Sequence, residues 1–293
     1  MPKFLWGTDP EFFLSDGKKL VSAVGKIAGT KEDPIWLECG SGLQYDNVAL
    51  EFCTPIASGQ GDMIASLKET FRLIKTMVPL KLVCSSSAYF PSEELQTDEA
   101  KMFGCSPDYN AWTMKRNKVP KQVDDTFRSC GGHVHVGYAD GSPFTFLLTH
   151  EGKIATVKAM DIMLGLASLS LDNNQASKDR RMLYGKAGCH RPKEYGIEYR
   201  TLSNFWLKSP ALVKLIHSLT NDALILVSSG KLEEALQKLN PSFIVDSINN
   251  PNQEQNVGIF RDKIEPYMSE ESKMYYDVAA TEQFKSLEEA WAI

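Results

Sequence analysis

The chain has no apolar run approaching the roughly 18 residues that a membrane-spanning helix needs. It opens with no secretory leader, so a cytoplasmic protein is expected, in the host cell if the gene is a phage's. Six cysteines (39, 53, 84, 105, 130 and 189) include no Cys-x-x-Cys pair, which predicts free, mostly buried thiols in a reducing compartment. There is no Gly-x-x-x-x-Gly-Lys-Ser/Thr loop and no Gly-x-Gly-x-x-Gly after a first strand, which excludes the two commonest nucleotide-binding folds. No repeat or low-complexity linker divides the 293 residues, a length that fits one large domain or two small ones. A net charge of −5 argues against general nucleic-acid binding and leaves room only for a local basic patch. A charged fraction of 24% and a hydrophobic fraction of 43% are those of an ordinary globular protein.

What is present is a mixture of strand and helix patterns without a repeated strand–helix–strand rhythm. Residues 3–15 read as a strand, with Phe4 and Trp6 leading in and Phe12, Phe13 and Leu14 following. Leu43 to Ile56 reads as another, with Val48, Leu50 and Phe52 in alternation. Met63, Leu67, Phe71 and Ile74 recur at helical spacing and predict a helix that Pro79 ends. Leu80–Phe90 is a further strand candidate, 91–126 largely loop with short helices, and Phe127–Tyr138 a strand. A strong helix is expected over 151–171, a last clear strand over Tyr195–Trp206, and mostly helix over 210–238. The tail from 239 is rich in Asn, Pro and Glu and ends in a short amphipathic stretch around 283–293. Long strands joined by varied connections predict an α+β fold with an antiparallel sheet.

Three of these strands carry polar pairs two residues apart. They are Asp9 and Glu11, His133 and His135, and Glu198 and Arg200. Strand side chains alternate, so each pair projects from one face. Asp-Pro-Glu alone is a common turn, but Phe-Phe-Leu follows at once and sets both carboxylates at the lip of a buried strand. Two buried like charges are costly unless a cation joins them, and a divalent metal removes that cost. The histidine pair is flanked by Gly132 and Gly137, and strand glycines admit a ligand or a second backbone. Lone strand histidines are more often core or surface residues, and Glu198-x-Arg200 alone is an ordinary exposed pair. Taken together they offer a carboxylate for an ion and a guanidinium for phosphoryl oxygens.

Positive charge is concentrated between Lys178 and Lys193, where six Lys or Arg residues are interrupted by Gly185 and Gly188. This predicts a flexible loop able to wrap a polyphosphate. The plainer alternative is a solvated charged surface.

In this order along the chain, the segments resemble the glutamine synthetase superfamily. Gly7-Thr-Asp9-Pro-Glu11-Phe-Phe-Leu is similar to its first metal-binding strand, and Asp46-Asn-Val-Ala-Leu-Glu51 stands where a second acidic strand is expected. Gly-Gly-His133-Val-His135-Val-Gly resembles the histidine strand of glutamate–cysteine ligases, and Ile-Glu198-Tyr-Arg200 the late Glu-x-Arg strand. Arg181-Met-Leu-Tyr184-Gly185-Lys-Ala-Gly188 is similar to a pattern of the type-2 carboxylate–amine ligases (amidoligases), known largely from phage and bacteria. The resemblance covers roughly residues 5–206.

It implies a curved antiparallel sheet of about six strands with helices on its convex face. The catalytic domain would span 1–238, with a C-terminal extension, 239–293, packed on it. Glu11 and Glu51, with Asp46 as an alternative, would hold a metal near the carboxylate substrate. Asp9, His133 and Glu198 would hold a second metal bridging the phosphates of ATP. Asp9 stands where glutamine synthetases carry Glu, one methylene longer. His135 would face the acyl substrate, while Arg200, with Arg181 or Arg191, would meet phosphoryl oxygens. Tyr184 and Lys186 lie in the same nucleotide segment. Carboxylate ligands suit Mg²⁺, and a histidine ligand keeps Mn²⁺ open.

The implied reaction is ATP-dependent amide or peptide bond formation from small-molecule or peptide carboxylates and amines. Two other readings are open: a metal-dependent hydrolase using His133 and His135, and a non-catalytic ligand-binding relative. Oligomeric state is not fixed by the sequence, and an oligomer is compatible with it.

Overall fold

The computed structural model describes residues 3–102, 108–118, 120, 124–250 and 258–293. The first strand, Phe4–Ser15, alternates buried and partly buried residues along most of its length, as its sequence pattern requires. Phe4, Trp6 and Phe12 enter the core, while Asp9 and Glu11 emerge on the other face. This strand is the spine of the molecule. It pairs antiparallel with the histidine strand Gly132–Tyr138 on one side and with Ala49–Cys53 on the other. The histidine strand continues the sheet to Gly196–Tyr199 and then to Cys189–Lys193.

The expected six-strand sheet is too small. Eleven strands among the described residues form one sheet, because two- and three-residue strands extend both edges and flank the spine. Every ladder in it is antiparallel. Helix Gln60–Met77, the helical run from His150 to Leu171 and helix Pro210–Ser228 contribute to the core on the face opposite Asp9 and Glu11. The last two are long and apolar enough to cross a bilayer, yet most of each lies buried in the protein. The His150–Leu171 run is interrupted by a π-turn at Asp161–Gly165. There the buried Asp161 accepts hydrogen bonds from Trp112 Nε1 (2.6 Å) and the Tyr199 hydroxyl (2.7 Å), tying the helix to the Glu198 strand.

Several boundaries differ from the sequence reading for identifiable reasons. Leu43–Ile56 is a hairpin, Gly42–Asp46 with Ala49–Cys53, not one strand. Asn47 turns the chain at φ 53°, a left-handed conformation that asparagine tolerates and that hairpin turns use. Leu80–Phe90 splits into Lys81–Val83, on the main sheet, and Ser87–Tyr89. The latter pairs with Phe127–Ser129 in a separate two-stranded sheet, so the expected Phe127–Tyr138 strand breaks before Gly132. Beyond 239 the chain is mostly helical where it is described. Asn240 caps the helix Pro241–Asn249, and Trp291 is buried against Phe71 with its indole N–H on Leu207 O at 2.9 Å.

Candidate active site

Register brings the predicted residues together. Glu11 lies opposite Glu51, Asp9 opposite His133, His135 opposite Glu198, and Glu198 opposite Arg191. Two groups of possible ligands result, each with its ligand atoms within 4.8 Å of one another: Glu11, Asp46, Glu51, and Asp9, His135, Glu198. Such separations suit a central ion at metal–oxygen distances near 2.0–2.6 Å, given small side-chain adjustments.

The two groups differ in charge balance. In the first, three carboxylates meet one lysine, Lys31, whose ammonium lies 2.5 Å from Asp46. Gln44 donates to Glu51 at 2.9 Å, and the Gly131 N–H donates to Glu11 at 2.7 Å. Burial, followed by the neighbouring Asp46, pushes the Glu11 carboxyl up to about 7. Burial, then Glu11 and Asp9, pushes Glu51 well above the carboxylate range. This trio is short of positive charge.

The second group is already neutralised by protein. Glu198 is bridged by Arg191 at 3.1 Å, by Lys193 at 2.8 Å and by Arg200. Burial and Asp9 would raise its pKa, but His133, Arg200 and Arg191 outweigh them and hold it down at about 2. For Asp9 burial is likewise outweighed, by His133 and His135, which stand 3.0 and 3.3 Å from Oδ1. Burial, then Arg200, lowers the pKa of His133. The structure places the expected His133 beside Asp9 and Glu198, its Nδ1 3.0 and 4.0 Å from them, and adds His135 to the group. Asp46 joins Glu11 and Glu51 and does not replace either.

The basic segment departs from the expected loop. It is a helix, Gln175–Leu183, then a tight turn and the strand Cys189–Lys193. Arg181, expected at the phosphates, is buried in the helical layer, donating to Asp172 O at 3.2 Å and Ser168 Oγ at 3.1 Å. Lys186 reaches Asn249 O at 3.1 Å, away from the cavity. Tyr184 and Arg200 do line the cavity beside Glu11 and His133, and Arg191 lies on Glu198.

Sequence reasoning missed Arg128, Arg180 and Asp108, which line the same cavity. Arg180 donates to Thr201 O and Leu202 O, each at 3.0 Å, and Arg128 to the carbonyls of Ala100, Asp125 and Phe127. Among the described residues neither guanidinium has a carboxylate within ion-pair distance, and the Nε of each is buried without a hydrogen-bond partner. Gly185 makes room for Arg180. Its φ is +65°, and a Cβ there would stand 2.1 Å from Arg180 Nη1. The single Gly185-Lys-Ala-Gly188 beside the paired Arg180 and Arg181 was the available signal.

Residues 125–241 match the model of a family described as phage phiEco32-like COOH.NH2 ligase-type 2. That is the family the motifs resemble. The matched segment contains both histidines, the arginine helix and the Glu198–Arg200 strand, while Asp9, Glu11, Asp46 and Glu51 precede it. No curated protein matches the chain. Among solved structures, a bifunctional glutathione synthetase from Pasteurella multocida aligns at 12% identity with a TM-score of 0.48. The alignment covers 99% of this chain and 48% of that one, so this chain spans about half its length.

The raised Glu11 pKa has a measurable consequence. An acid that binds its proton more tightly when folded destabilises the fold as pH rises from its unfolded pKa to its folded one. Without divalent metal, stability should therefore fall between about pH 4.5 and about pH 7, by up to about 3 kcal/mol. Glu11→Gln should flatten that slope, and Mg²⁺ or Mn²⁺ should offset it. Urea unfolding at a series of pH values reads this directly, and a slope unchanged in Glu11→Gln would contradict the assignment.

Proposed function

We propose that this chain joins a carboxylate to an amine with ATP, through an acyl phosphate. The observation that carries the reading is a division of unbalanced charge across one cavity. Glu11 and Asp46, two of three carboxylates that share the single lysine Lys31, line the cavity, and so do two buried guanidiniums, Arg128 and Arg180, with no carboxylate within ion-pair distance among the described residues. A metal–nucleotide complex supplies both missing partners at once. The match to a carboxylate–amine ligase family supports the same reaction class.

Glu11, Asp46 and Glu51 would hold the principal Mg²⁺ or Mn²⁺. The donor set fits, being all oxygen, clustered and electrostatically short of a cation. Asp9, His135 and Glu198 would hold a second ion when the nucleotide phosphates draw Arg191 and Lys193 from Glu198. The metals supply charge neutralisation of the phosphoryl group in transfer.

Arg128 and Arg180 bind the polyphosphate, each through a guanidinium already oriented by backbone carbonyls. Arg200, fixed by Glu198 and lying 3.2 Å from His133, meets the oxygens of the transferring phosphoryl group. The substrate carboxylate attacks the γ-phosphorus and releases ADP. The amine nitrogen then attacks the acyl carbon, forming the C–N bond as the C–O bond to phosphate breaks, and loses a proton. Oxide is too poor a leaving group for this to occur directly at neutral pH, and phosphate is a good one. No protein nucleophile is required, only positioning and electrostatics.

A hydrolase using both histidines as ligands fits less well. The Arg200 guanidinium lies 3.2 Å from His133 Nδ1, a cation where a metal shared by both histidines would have to sit. The test is ADP release with Mg²⁺ or Mn²⁺ across amino acids, peptides and amines, with mass spectrometry for products that have lost water. Joining that requires ATP supports the proposal, and ATP-independent hydrolysis refutes it.

A further inference from the structure

A second cavity opens on the same face of the sheet, at the other end of the polar row. It holds about 250 Å³ and is bordered by Leu5, Cys53, Ile56, His135, Tyr195 and Asp9. Gly7 and Gly137 form its floor, on the same strand faces as Asp9 and His135. A Cβ at Gly7 would touch only His135 Cβ, at 3.6 Å, so nothing in the fold demands a glycine there and its absence of side chain leaves space. Ile56 is 74% exposed and Tyr195 43% exposed at the mouth. Neither exposure serves folding, and both would be covered by an apolar group seated in the cavity. Tyr195 is held in place by His135, with the rings near-parallel at 27° and the hydroxyl 2.6 Å from Nδ1.

The charge at this cavity is one-sided. Asp9 lines it, and no Lys or Arg does among the described residues. A carboxylate ligand would meet repulsion here, whereas the first cavity carries Arg128, Arg180 and Arg200. We infer that this second cavity binds the amine substrate, and that the substrate is a primary amine bearing an aliphatic or aromatic side chain. The side chain fills the space over Gly7 and Gly137 between Ile56 and Tyr195, and the nitrogen lies at the Asp9 end of the cavity, beside the second ion's ligands. This rests on the proposed ligase reaction for the word substrate, but the binding it requires is independent of turnover.

The experiment is calorimetric titration of the full chain, without divalent metal, with 3-methylbutylamine, phenethylamine, ethylamine and 3-methylbutyrate. Each added buried carbon is worth roughly fourfold in affinity, so the two larger amines should bind at least tenfold more tightly than ethylamine. The carboxylate of the same skeleton should bind more weakly than its amine. Gly7→Leu should fill the floor and weaken 3-methylbutylamine binding at least tenfold. Ile56→Ser, at an exposed position that folding does not use, should weaken it severalfold and serves if Gly7→Leu does not fold. Equal affinity for ethylamine, preference for the carboxylate, no binding of any amine, or unchanged affinity in both variants would each overturn the inference. Ligase activity that favours polar amines would overturn it while leaving the ligase reading intact. Tight binding of the apolar amines without any ATP-dependent joining would fail the ligase reading instead.

Discussion

Glu51→Gln is expected to reduce ATP-dependent turnover by on the order of a thousandfold while leaving the protein folded and more stable at pH 8 without metal. Glu51 is 7% exposed, lies opposite Glu11 in the sheet and accepts a hydrogen bond from Gln44. Its carboxyl is pushed up by burial and by Glu11, so ionising it costs free energy in the metal-free fold. A glutamine keeps the volume and removes the charge. Metal affinity should fall with it, because one of three oxygen ligands becomes a weaker neutral donor. Initial rates over a range of Mn²⁺ concentrations, together with thermal melts in EDTA, separate the two effects. A variant that is less stable in EDTA and retains full turnover would show that Glu51 serves the fold and not an ion.

Two adjacent arginines should behave oppositely. Arg180→Met is expected to weaken ATP binding by about ten- to hundredfold, the usual worth of a charge-assisted hydrogen bond to phosphate. It should cost less stability than Arg181→Met, since it leaves two backbone carbonyls, Thr201 O and Leu202 O, without this donor but removes no carboxylate's partner. Arg181→Met should instead destabilise the protein by about 2–4 kcal/mol and leave nucleotide affinity within twofold. Its guanidinium holds Asp172 O and Ser168 Oγ and stands 4.0 Å from the fully buried Asp172 carboxylate, which would lose its one cation within ion-pair distance among the described residues. Calorimetric ATP titration and urea unfolding of both variants decide the assignment. Weakened ATP binding in Arg181→Met at unchanged stability would return the phosphate role to Arg181.

The contrast explains what sequence could and could not reveal. The spine strand was legible because one face is core, so alternation alone placed Asp9 and Glu11 outward together with His133, His135 and Glu198. The Asp46–Asn47 turn was obscured because Val48, Leu50 and Phe52 continue a strand-like alternation through it. A count of basic residues between 178 and 193 could not tell which of them face the cavity. Successive helix residues point about 100° apart, so Arg180 and Arg181 diverge, and the helix's rotation is set by distant partners such as Asp172 and Thr201. Arg128 and Asp108 stand on segments without any motif, brought in only by tertiary packing. In the tail, composition alone hides a helix start, since Asn240 caps Ser242 N–H and Pro241 opens the helix.

The most direct test of the ligase account uses carboxylates labelled with ¹⁸O on both oxygens, supplied with unlabelled ATP, Mn²⁺ and amine. If the carboxylate is activated as an acyl phosphate, one of its oxygens leaves with the phosphoryl group. Each amide formed should then yield one inorganic phosphate carrying a single ¹⁸O, and Glu51→Gln and Arg180→Met should lose label and product together. Amide formation, or ATP hydrolysis alone, with phosphate entirely free of ¹⁸O would contradict it.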